Sequence, residues 1–155
     1  MGTRPMASKG IGQMAGGFTV RETIERSPQE VWGYLTDFGN AKRWMTGLEE
    51  MIPLTQGPIE VGARFRFKGR GKERESHVTA LEPGKRIALT STQGGVTATY
   101  TYSLAPAGND TEVTLNAVCQ ATGFWKLLHP IIVFAMKRSD SSHLAQLKTA
   151  ITHGD

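Results

Sequence analysis

The chain has 155 residues, with a formal net charge of +4 and a single cysteine. One cysteine excludes an internal disulfide and a zinc cluster built from thiolates, and it fits a reducing compartment, so a cytoplasmic protein is expected. A chain of this length can form one domain around its own hydrophobic core. The longest apolar run, LLHPIIVFAM, is too short and too interrupted to cross a bilayer, so no membrane insertion is expected.

The amino-terminal part of the chain predicts a leader followed by a strand and a helix. Residues 1–16 are rich in glycine and small residues, which predicts a flexible leader, with a single domain over residues 17–155. FTVRETIER then alternates as a strand does, up to Ser27, a good N-cap for a helix that begins at Pro28. GNAKRWM predicts a second short helix after that one.

Six short segments with β-sheet composition follow, separated by turn sequences. They are LEEMIPL, ARFRFKG, KERESHVTALE, KRIALTSTQ, VTATYTYSLA and TEVTLNAVCQA. Consecutive strands joined by short turns predict an antiparallel meander. Apolar residues at helical spacing from Val133 to Ile151 then predict a long C-terminal helix, which Pro130 should kink or divide.

One strand segment, ARFRFKGRGKER, places a basic residue at every second position from 64 to 74. Alternate side chains of a strand lie on opposite faces, so Phe65 and Phe67 would face inward and the basic residues would face solvent. We therefore interpret the basic residues as the solvated outer face of a strand. The binding of an anion or a macromolecule through this face is kept as a second alternative function, and no nucleic-acid partner is expected.

Four segments of the chain, SPQEVWGYLTDFGNAKRW, GPIEVGARFRF, ALEPGKRIAL and LAQLKTAI, together resemble the START-like, or SRPBCC, superfamily. The resemblance is strongest to its polyketide cyclase/dehydrase-type branch and covers about residues 18–152. It implies an α+β helix-grip fold, in which a seven-stranded antiparallel sheet curls around a long C-terminal helix, with two short helices between strands 1 and 2. Residues 17–155 would then form a single START-like ligand-binding domain. One departure is Asp140, where members commonly carry an apolar residue.

The resemblance also implies an apolar cavity between the sheet and the C-terminal helix. We therefore expect the protein to bind a small hydrophobic or partly polar ligand of the lipid, polyketide or quinone class. The alternative is an enzyme of the cyclase or dehydratase type, which needs acid and base groups in the same cavity. Nothing in the sequence indicates a cofactor, and the four histidines show no metal-ligand spacing. The oligomeric state is left open.

Strand alternation indicates which residues form the wall of that cavity. Tyr100 and Tyr102 share the inward face of one strand, whereas the alternation of KERESHVTALE is mixed, so either face of residues 73–82 could point inward. The predicted ligand-binding residues are Trp44, Phe65, Phe67, His77, Tyr100, Tyr102, Leu115, Phe124, Leu128 and Met136. No catalytic residue is identified, and His77 and Asp140 are the candidates for moving a proton. An ion pair with Lys137 is the structural alternative for Asp140.

Four residues have separate interpretations. Trp44 follows the second short helix, near the expected mouth of the cavity, where aromatic side chains often contact ligands. Phe124 and Trp125 precede Pro130 and are candidates for a lid. Cys119 lies on an apolar strand face, so it is expected to be a small buried hydrophobic residue and not a nucleophile.

Overall fold

The structure is a computed structural model that describes residues 13–45, 47–69 and 71–153, with side chains from residue 16 onward. Its strands are β1 (Gln13–Ile24), β2 (Leu48–Pro53), β3 (Arg64–Gly69), β4 (Lys72–Glu82), β5 (Arg86–Gln93), β6 (Val96–Ala107) and β7 (Asp110–Thr122). The α-helices are α1 (Pro28–Thr36), α2 (His129–Asp140) and α3 (His143–His153). Two 3₁₀ helices span Phe38–Arg43 and Gly123–Leu128.

The strands form one seven-stranded antiparallel sheet in the order β1-β7-β6-β5-β4-β3-β2. Each strand from β2 to β6 pairs with the next one along the chain, so the predicted meander is confirmed. The two short helices lie between β1 and β2, and α2 and α3 pack against β1 and β7. The predicted α+β helix-grip fold is therefore confirmed.

The first strand begins earlier than the sequence predicted. Gln13 pairs with Thr122 and Gly16 with Cys119, so residues 13–16 belong to the sheet and not to a leader. The glycines that suggested a leader instead allow close packing of the backbones, because a Cβ on Gly17 would lie 1.7 Å from the carbonyl oxygen of Ala117. The rest of the predicted leader, residues 1–12, lies outside the described residues.

The C-terminal helix is divided, but not at the predicted proline. Pro130 occupies the first turn of α2, where a proline fits because its missing N–H has no partner within the helix. The division falls at Ser141 and Ser142, between α2 and α3. Asp140 is the last residue of α2 and His143 is the first residue of α3. The two residues therefore lie on either side of the break, less than one helical turn apart along the chain.

The hydrophobic core lies between the inner face of the sheet and the helices. Fully buried side chains come from α1, β7 and α3, among them Leu35, Leu115 and Leu147. Burying one such side chain stabilises the fold by about 1.5–3 kcal/mol. The outer face is polar, and the hydroxyl of Thr90 lies 3.0 Å from those of Thr79 and Thr99 on the neighbouring strands.

The basic residues of β3 lie on this outer face, as the alternation predicted. Arg64 and Arg66 are exposed, and the phenylalanine between them is buried. Cross-strand pairing sets Arg66 opposite Glu75 and Lys68 opposite Glu73, and Arg64 forms an ion pair with Glu75 at 3.4 Å. The acidic residues of β4 therefore offset the positive charge of β3, and the interpretation as a solvated strand face is confirmed.

Candidate functional site

Three polar side chains meet where α2 gives way to α3, against the inner face of β6. We call Tyr100, Asp140 and His143 the polar cluster. The hydroxyl of Tyr100 donates a hydrogen bond to Oδ2 of Asp140, and Nε2 of His143 lies 3.3 Å from Oδ1 of the same carboxylate. The side chains of His143 and Asp140 are 8% and 17% exposed, respectively. One carboxylate thus connects a tyrosine of the sheet with a histidine of the C-terminal helices.

The local structure explains why these groups meet. Tyr100 faces inward because it lies in a regular stretch of β6, where alternate residues point to the same side. Asp140 and His143 are three residues apart, a spacing that keeps side chains on one side of a helical segment. The side chains of Asp140 and His143 remain close to each other across the break, although His143 belongs to a new helix.

Aromatic side chains extend the polar cluster into the core. Trp44 is 1% exposed, and its ring packs edge-on against those of Tyr102 and His143, with centroid distances of 5.7 and 6.2 Å. The Nε1–H group of Trp44 is buried and has no hydrogen-bond partner among the described residues, and neither does the buried hydroxyl of Tyr34. A buried polar group without a partner costs about 1–3 kcal/mol, so an acceptor on a ligand would bind favourably at Trp44.

The electrostatics of the site keep its tyrosines neutral. Burial raises the pKa of Tyr100 above the ordinary value of 10.0, and the neighbouring Asp140 carboxylate raises it further. Burial and the charge of Asp140 raise the pKa of Tyr102 in the same way. Both phenols therefore remain protonated at neutral pH, and because Tyr100 donates its proton to Asp140, Tyr102 is the one that can donate to another acceptor.

Cys119 has the environment that the sequence predicted. Its side chain is fully buried on β7, and burial raises the pKa of the thiol. A thiol of raised pKa is a weak nucleophile at neutral pH. The prediction of a small buried hydrophobic residue is therefore confirmed.

A pocket of about 290 Å³ opens between the first 3₁₀ helix and strands β2 and β3. Its lining consists of Thr36, Asp37, Phe38, Gly39, Met51, Pro53, Thr55, Gly57, Pro58, Ile59, Ala63 and Phe65. The rings of Phe38 and Phe65 pack edge-on, with centroids 4.7 Å apart. Both belong to the same hydrophobic core as Trp44 and Tyr102. The pocket and the polar cluster therefore border the same hydrophobic core.

Four of the ten predicted ligand-binding residues lie in or beside these two places. Trp44, Tyr100 and Tyr102 form or adjoin the polar cluster, and Phe65 lines the pocket. The other inward or partly buried ones are Phe67, Leu115, Leu128 and Met136. Asp140, predicted as a candidate proton donor or acceptor, is the centre of the polar cluster and not an ion-pair partner of Lys137.

Two predicted residues do not face the interior, and these predictions are corrected. His77 is exposed on β4, because its buried neighbours Ser76 and Val78 occupy the inner face. Its strand alternates poorly, and the pairing with β5 is irregular between Val78 and Ala80. Phe124 is 66% exposed, so it does not contribute to the interior of the sheet.

Sequence reasoning missed His143. The side chain is buried, at 6% exposure, and it lies on the same face as Leu144 and Leu147, which are also buried. Its spacing of three residues from Asp140, at the start of an apolar helical pattern, is a signal that could have identified the pair. The contact with Trp44 could not have been read in this way, because it joins distant parts of the chain.

The described residues offer no metal site: residues 13–45, 47–69 and 71–153 contain no group of three or more His, Cys, Asp or Glu side chains that could hold an ion. Within the same ranges, no helix has the length and apolar character needed to cross a membrane.

The polar cluster contains a carboxylate, an imidazole and a phenol, which can bind polar atoms and exchange protons.

A family model described as "Polyketide cyclase / dehydrase and lipid transport" matches residues 16–152. The chain belongs to this family. The resemblance to the SRPBCC superfamily and its polyketide cyclase/dehydrase-type branch is thereby confirmed. No curated protein matches the chain. Membership supports ligand binding at the level of the family, whose description covers both catalysis and transport.

Solved structures share the fold at low sequence identity. The truncated norcoclaurine synthase of Thalictrum flavum is 13% identical, with a TM-score of 0.69 over 95% of this chain and 99% of that one. TTHA0849 of Thermus thermophilus is 20% identical, with a TM-score of 0.67 over 86% and 97% of the two chains. MLL2253 of Mesorhizobium loti is 17% identical, with a TM-score of 0.70 over 92% and 99%. At these identities the comparisons show the fold alone.

Proposed function

We propose that the protein binds a small hydrophobic ligand of the lipid, polyketide or quinone class, with an oxygen acceptor of the ligand at the polar cluster. The observation that carries this proposal is the buried Nε1–H of Trp44, which has no partner among the described residues and packs beside Tyr102 and His143. An acceptor on the ligand would satisfy this donor. The apolar part of the ligand would contact side chains of the hydrophobic core that the polar cluster and the pocket share.

The chemistry of the cluster supports an oxygen-bearing ligand over a plain hydrocarbon. The hydroxyl of Tyr102, whose pKa is raised, stays protonated and can donate, and the indole N–H of Trp44 can only donate. A carbonyl or quinone oxygen accepts from such groups, whereas a hydrocarbon would leave the Trp44 donor unpaired. The family description, which includes lipid transport, agrees with an apolar ligand body.

The experiment that tests this function is a ligand screen read by thermal shift and tryptophan emission. A fatty acid, a naphthoquinone and an aromatic polyketide serve as probes, and a ligand at 100 times its dissociation constant should stabilise the fold by about 2.7 kcal/mol. The chain has three tryptophans, so the variant W32F/W125F reports on Trp44 alone. Native mass spectrometry of protein purified from its own host would identify a ligand that co-purifies.

A substitution at Trp44 makes the screen specific for the site. Trp44→Phe should weaken binding by the loss of one hydrogen bond, about 0.5–1.5 kcal/mol. Trp32→Phe, at a half-buried tryptophan of α1, is the matched control and should leave affinity unchanged. Binding that is insensitive to Trp44→Phe, or the absence of any stabilising probe and any co-purifying molecule, would remove the support for this function.

A second candidate function is an enzyme of the cyclase or dehydratase type, and one observation favours it. Asp140 lies 3.3 Å from His143, and such a carboxylate can orient an imidazole that transfers protons. If so, His143→Gln should lower turnover roughly 10²- to 10⁴-fold while ligand binding survives. His153→Gln, an exposed histidine of the same helix, is the control. Equal effects of the two substitutions on turnover would contradict the catalytic function.

The remaining alternative, anion or macromolecule binding through the basic face of β3, has less support. Glu73 and Glu75 lie opposite Lys68 and Arg66 and offset their charge. Tight, salt-sensitive binding of nucleic acid that is lost in R64Q/R66Q/K68Q would restore it. The absence of a nucleic-acid partner and the cytoplasmic location both stay predictions.

A further inference from the structure

The segment before the helix break exposes large apolar side chains on its outer side. We call this set, formed by the second 3₁₀ helix and α2, the apolar surface. Its members and their exposures are Phe124 (66%), Trp125 (38%), Leu127 (77%), Ile131 (64%) and Phe134 (63%). Contiguous apolar groups at such exposure typically mark a surface that contacts a partner or a membrane.

The apolar surface is held outward by contacts on the opposite side of the segment. His129 is buried, and its Nε2 lies 3.0 Å from the carbonyl oxygen of Cys119, so this nitrogen donates a hydrogen bond to β7. A Cβ on Gly16 would come within 3.0 Å of the His129 ring, which shows how closely α2 packs on β1. Leu127, Ile131 and Phe134 follow one another at helical spacing, so they share the side away from this contact.

Trp125 is also fixed in place. Its indole ring lies against the turn between β5 and β6, where a Cβ on Gly95 would be 2.5 Å from Cδ1 of the ring. Its edge-on contact with Phe124, at a centroid distance of 5.7 Å, joins the two aromatic residues into one surface. The apolar surface is therefore built into the fold and does not depend on a loose loop.

The charged residues of this segment are mostly positive. Lys126, Lys137 and Arg138 lie within the segment, and no acidic residue occurs between Glu112 and Asp140. Lys137 and Arg138 follow Phe134 by three and four residues, so they continue the same side of α2 by one turn. The one acidic residue of the segment, Asp140 at its end, is only 17% exposed and is engaged by Tyr100 and His143.

The composition of residues 1–12, which lie outside the described residues, bears on whether they could cover the apolar surface. Gln13, the first residue of β1, pairs with Thr122, which immediately precedes the second 3₁₀ helix. Residues 1–12 contain Arg4 and Lys9 and no acidic residue. This composition does not complement a basic surface, so residues 1–12 are a poor candidate for covering it.

We propose that the apolar surface docks on a bilayer of anionic phospholipids without spanning it. Exposed Trp, Phe and Leu side chains with Lys and Arg beside them are the composition of segments that lie in a membrane interface. Anionic headgroups attract the positive charges, whereas a second copy of this chain would bring three like charges against three. The proposal concerns a surface outside the candidate ligand site, so it holds or fails independently of the proposed function.

Cosedimentation of the full chain with vesicles tests the apolar part of this proposal. Phosphatidylcholine vesicles with phosphatidylserine should bind the protein, and the emission of Trp125 should shift to the blue, a change that Trp125→Phe removes. The variant L127S/I131S/F134S should lose the binding and keep its melting temperature, because its three sites are exposed. Val61→Ser, at an apolar residue that is 61% exposed elsewhere on the molecule, should bind as the wild type does.

A matched pair of charge variants tests the electrostatic part. K126Q/K137Q/R138Q and R64Q/R66Q/K68Q each remove three positive charges from the chain. The first should weaken binding to anionic vesicles about fivefold per charge, on the order of 100-fold in total, and the second should change it little. Vesicles of phosphatidylcholine alone should bind weakly.

Three results would overturn the proposal. They are the absence of binding to anionic vesicles by the wild type, equal binding by the wild type and L127S/I131S/F134S, and equal losses in the two charge variants. A dimer in solution that L127S/I131S/F134S dissociates would instead assign the apolar surface to a second copy of the chain. The ligand screen on the same protein reports separately on the polar cluster.

Discussion

The inner and outer sides of residues 123–140 are held in different ways. On the inner side, His129 bonds to the backbone of β7 and Asp140 bonds to Tyr100, so directional polar contacts fix the segment to the sheet. On the outer side, Leu127, Ile131 and Phe134 are more than 60% exposed. A surface helix usually buries its apolar residues and exposes its polar ones. The difference indicates that stability of the fold does not account for the outer residues.

The largest effect should follow from removing the centre of the polar cluster. Asp140→Ala leaves the hydroxyl of Tyr100 without its acceptor and removes the carboxylate beside His143. We expect the free energy of unfolding to fall by about 2–4 kcal/mol, measured by urea denaturation. Lys137→Ala, an exposed residue of the same helix, is the control. Equal stabilities of the two variants would mean that the polar contacts of the inner side stabilise the fold no more than an exposed residue does.

A smaller loss is expected at the other inner contact. His129→Leu removes the hydrogen bond to the carbonyl oxygen of Cys119 and places an apolar side chain in the buried position. The free energy of unfolding should fall by about 1–3 kcal/mol, because the buried polar contact is lost. His129→Gln, which retains an N–H donor, should recover part of this loss. A fully stable His129→Leu variant would show that packing alone holds α2.

The contribution of the inner side to stability should also depend on pH. Because the pKa of Tyr100 and of Tyr102 is raised in the folded state above 10.0, the folded protein keeps protons that the unfolded chain releases. This contribution is complete below pH 10 and is lost as the pH rises toward the folded-state pKa, at up to about 1.4 kcal/mol per pH unit for each tyrosine.

Chemical denaturation between neutral pH and pH 11 measures this loss. Lysines also titrate in this range, so the relevant quantity is the difference between the wild type and the variant Y100F/Y102F. The variant should lose stability less steeply above pH 10. Parallel profiles would contradict the raised pKa values.

The smallest effect on stability is expected on the outer side. Leu127→Ser, Ile131→Ser and Phe134→Ser should each change the free energy of unfolding by no more than about 0.5 kcal/mol, since exposed positions contribute little. Denaturation curves of the three single variants measure this. A loss comparable to that of His129→Leu would mean that the outer residues are structural after all. Unchanged stability combined with lost vesicle binding would show that the outer residues serve docking and not folding.

The sequence predicted the fold because its local signals agree with one another. Strand segments, turn residues and the N-cap Ser27 all lie where the structure has the corresponding elements. The failures occur where a residue's local pattern is shared by two conformations. Gly16 and Gly17 suit a flexible leader as well as a closely packed strand, and Pro130 can break a helix or begin one.

The site was predictable only where strands alternate regularly. Tyr100 and Tyr102 were identified because β6 pairs without interruption on both sides. His77 was not resolved, since its strand is mixed in composition and irregular in pairing. His143 depends on the helix break and on Trp44, and contacts between distant segments leave no periodic signal in one sequence.

The break at Ser141 and Ser142 has a consequence for how the C-terminal region opens. Leu144 and Leu147 anchor α3 in the core, whereas His129 is the one buried side chain among the described residues of α2. Because α2 and α3 each have their own backbone hydrogen bonds, they can unfold locally and separately. The helix with fewer buried contacts unfolds at the lower free energy. Amide hydrogen exchange should therefore be faster along α2, and the amides of α3 should exchange only when the whole domain unfolds.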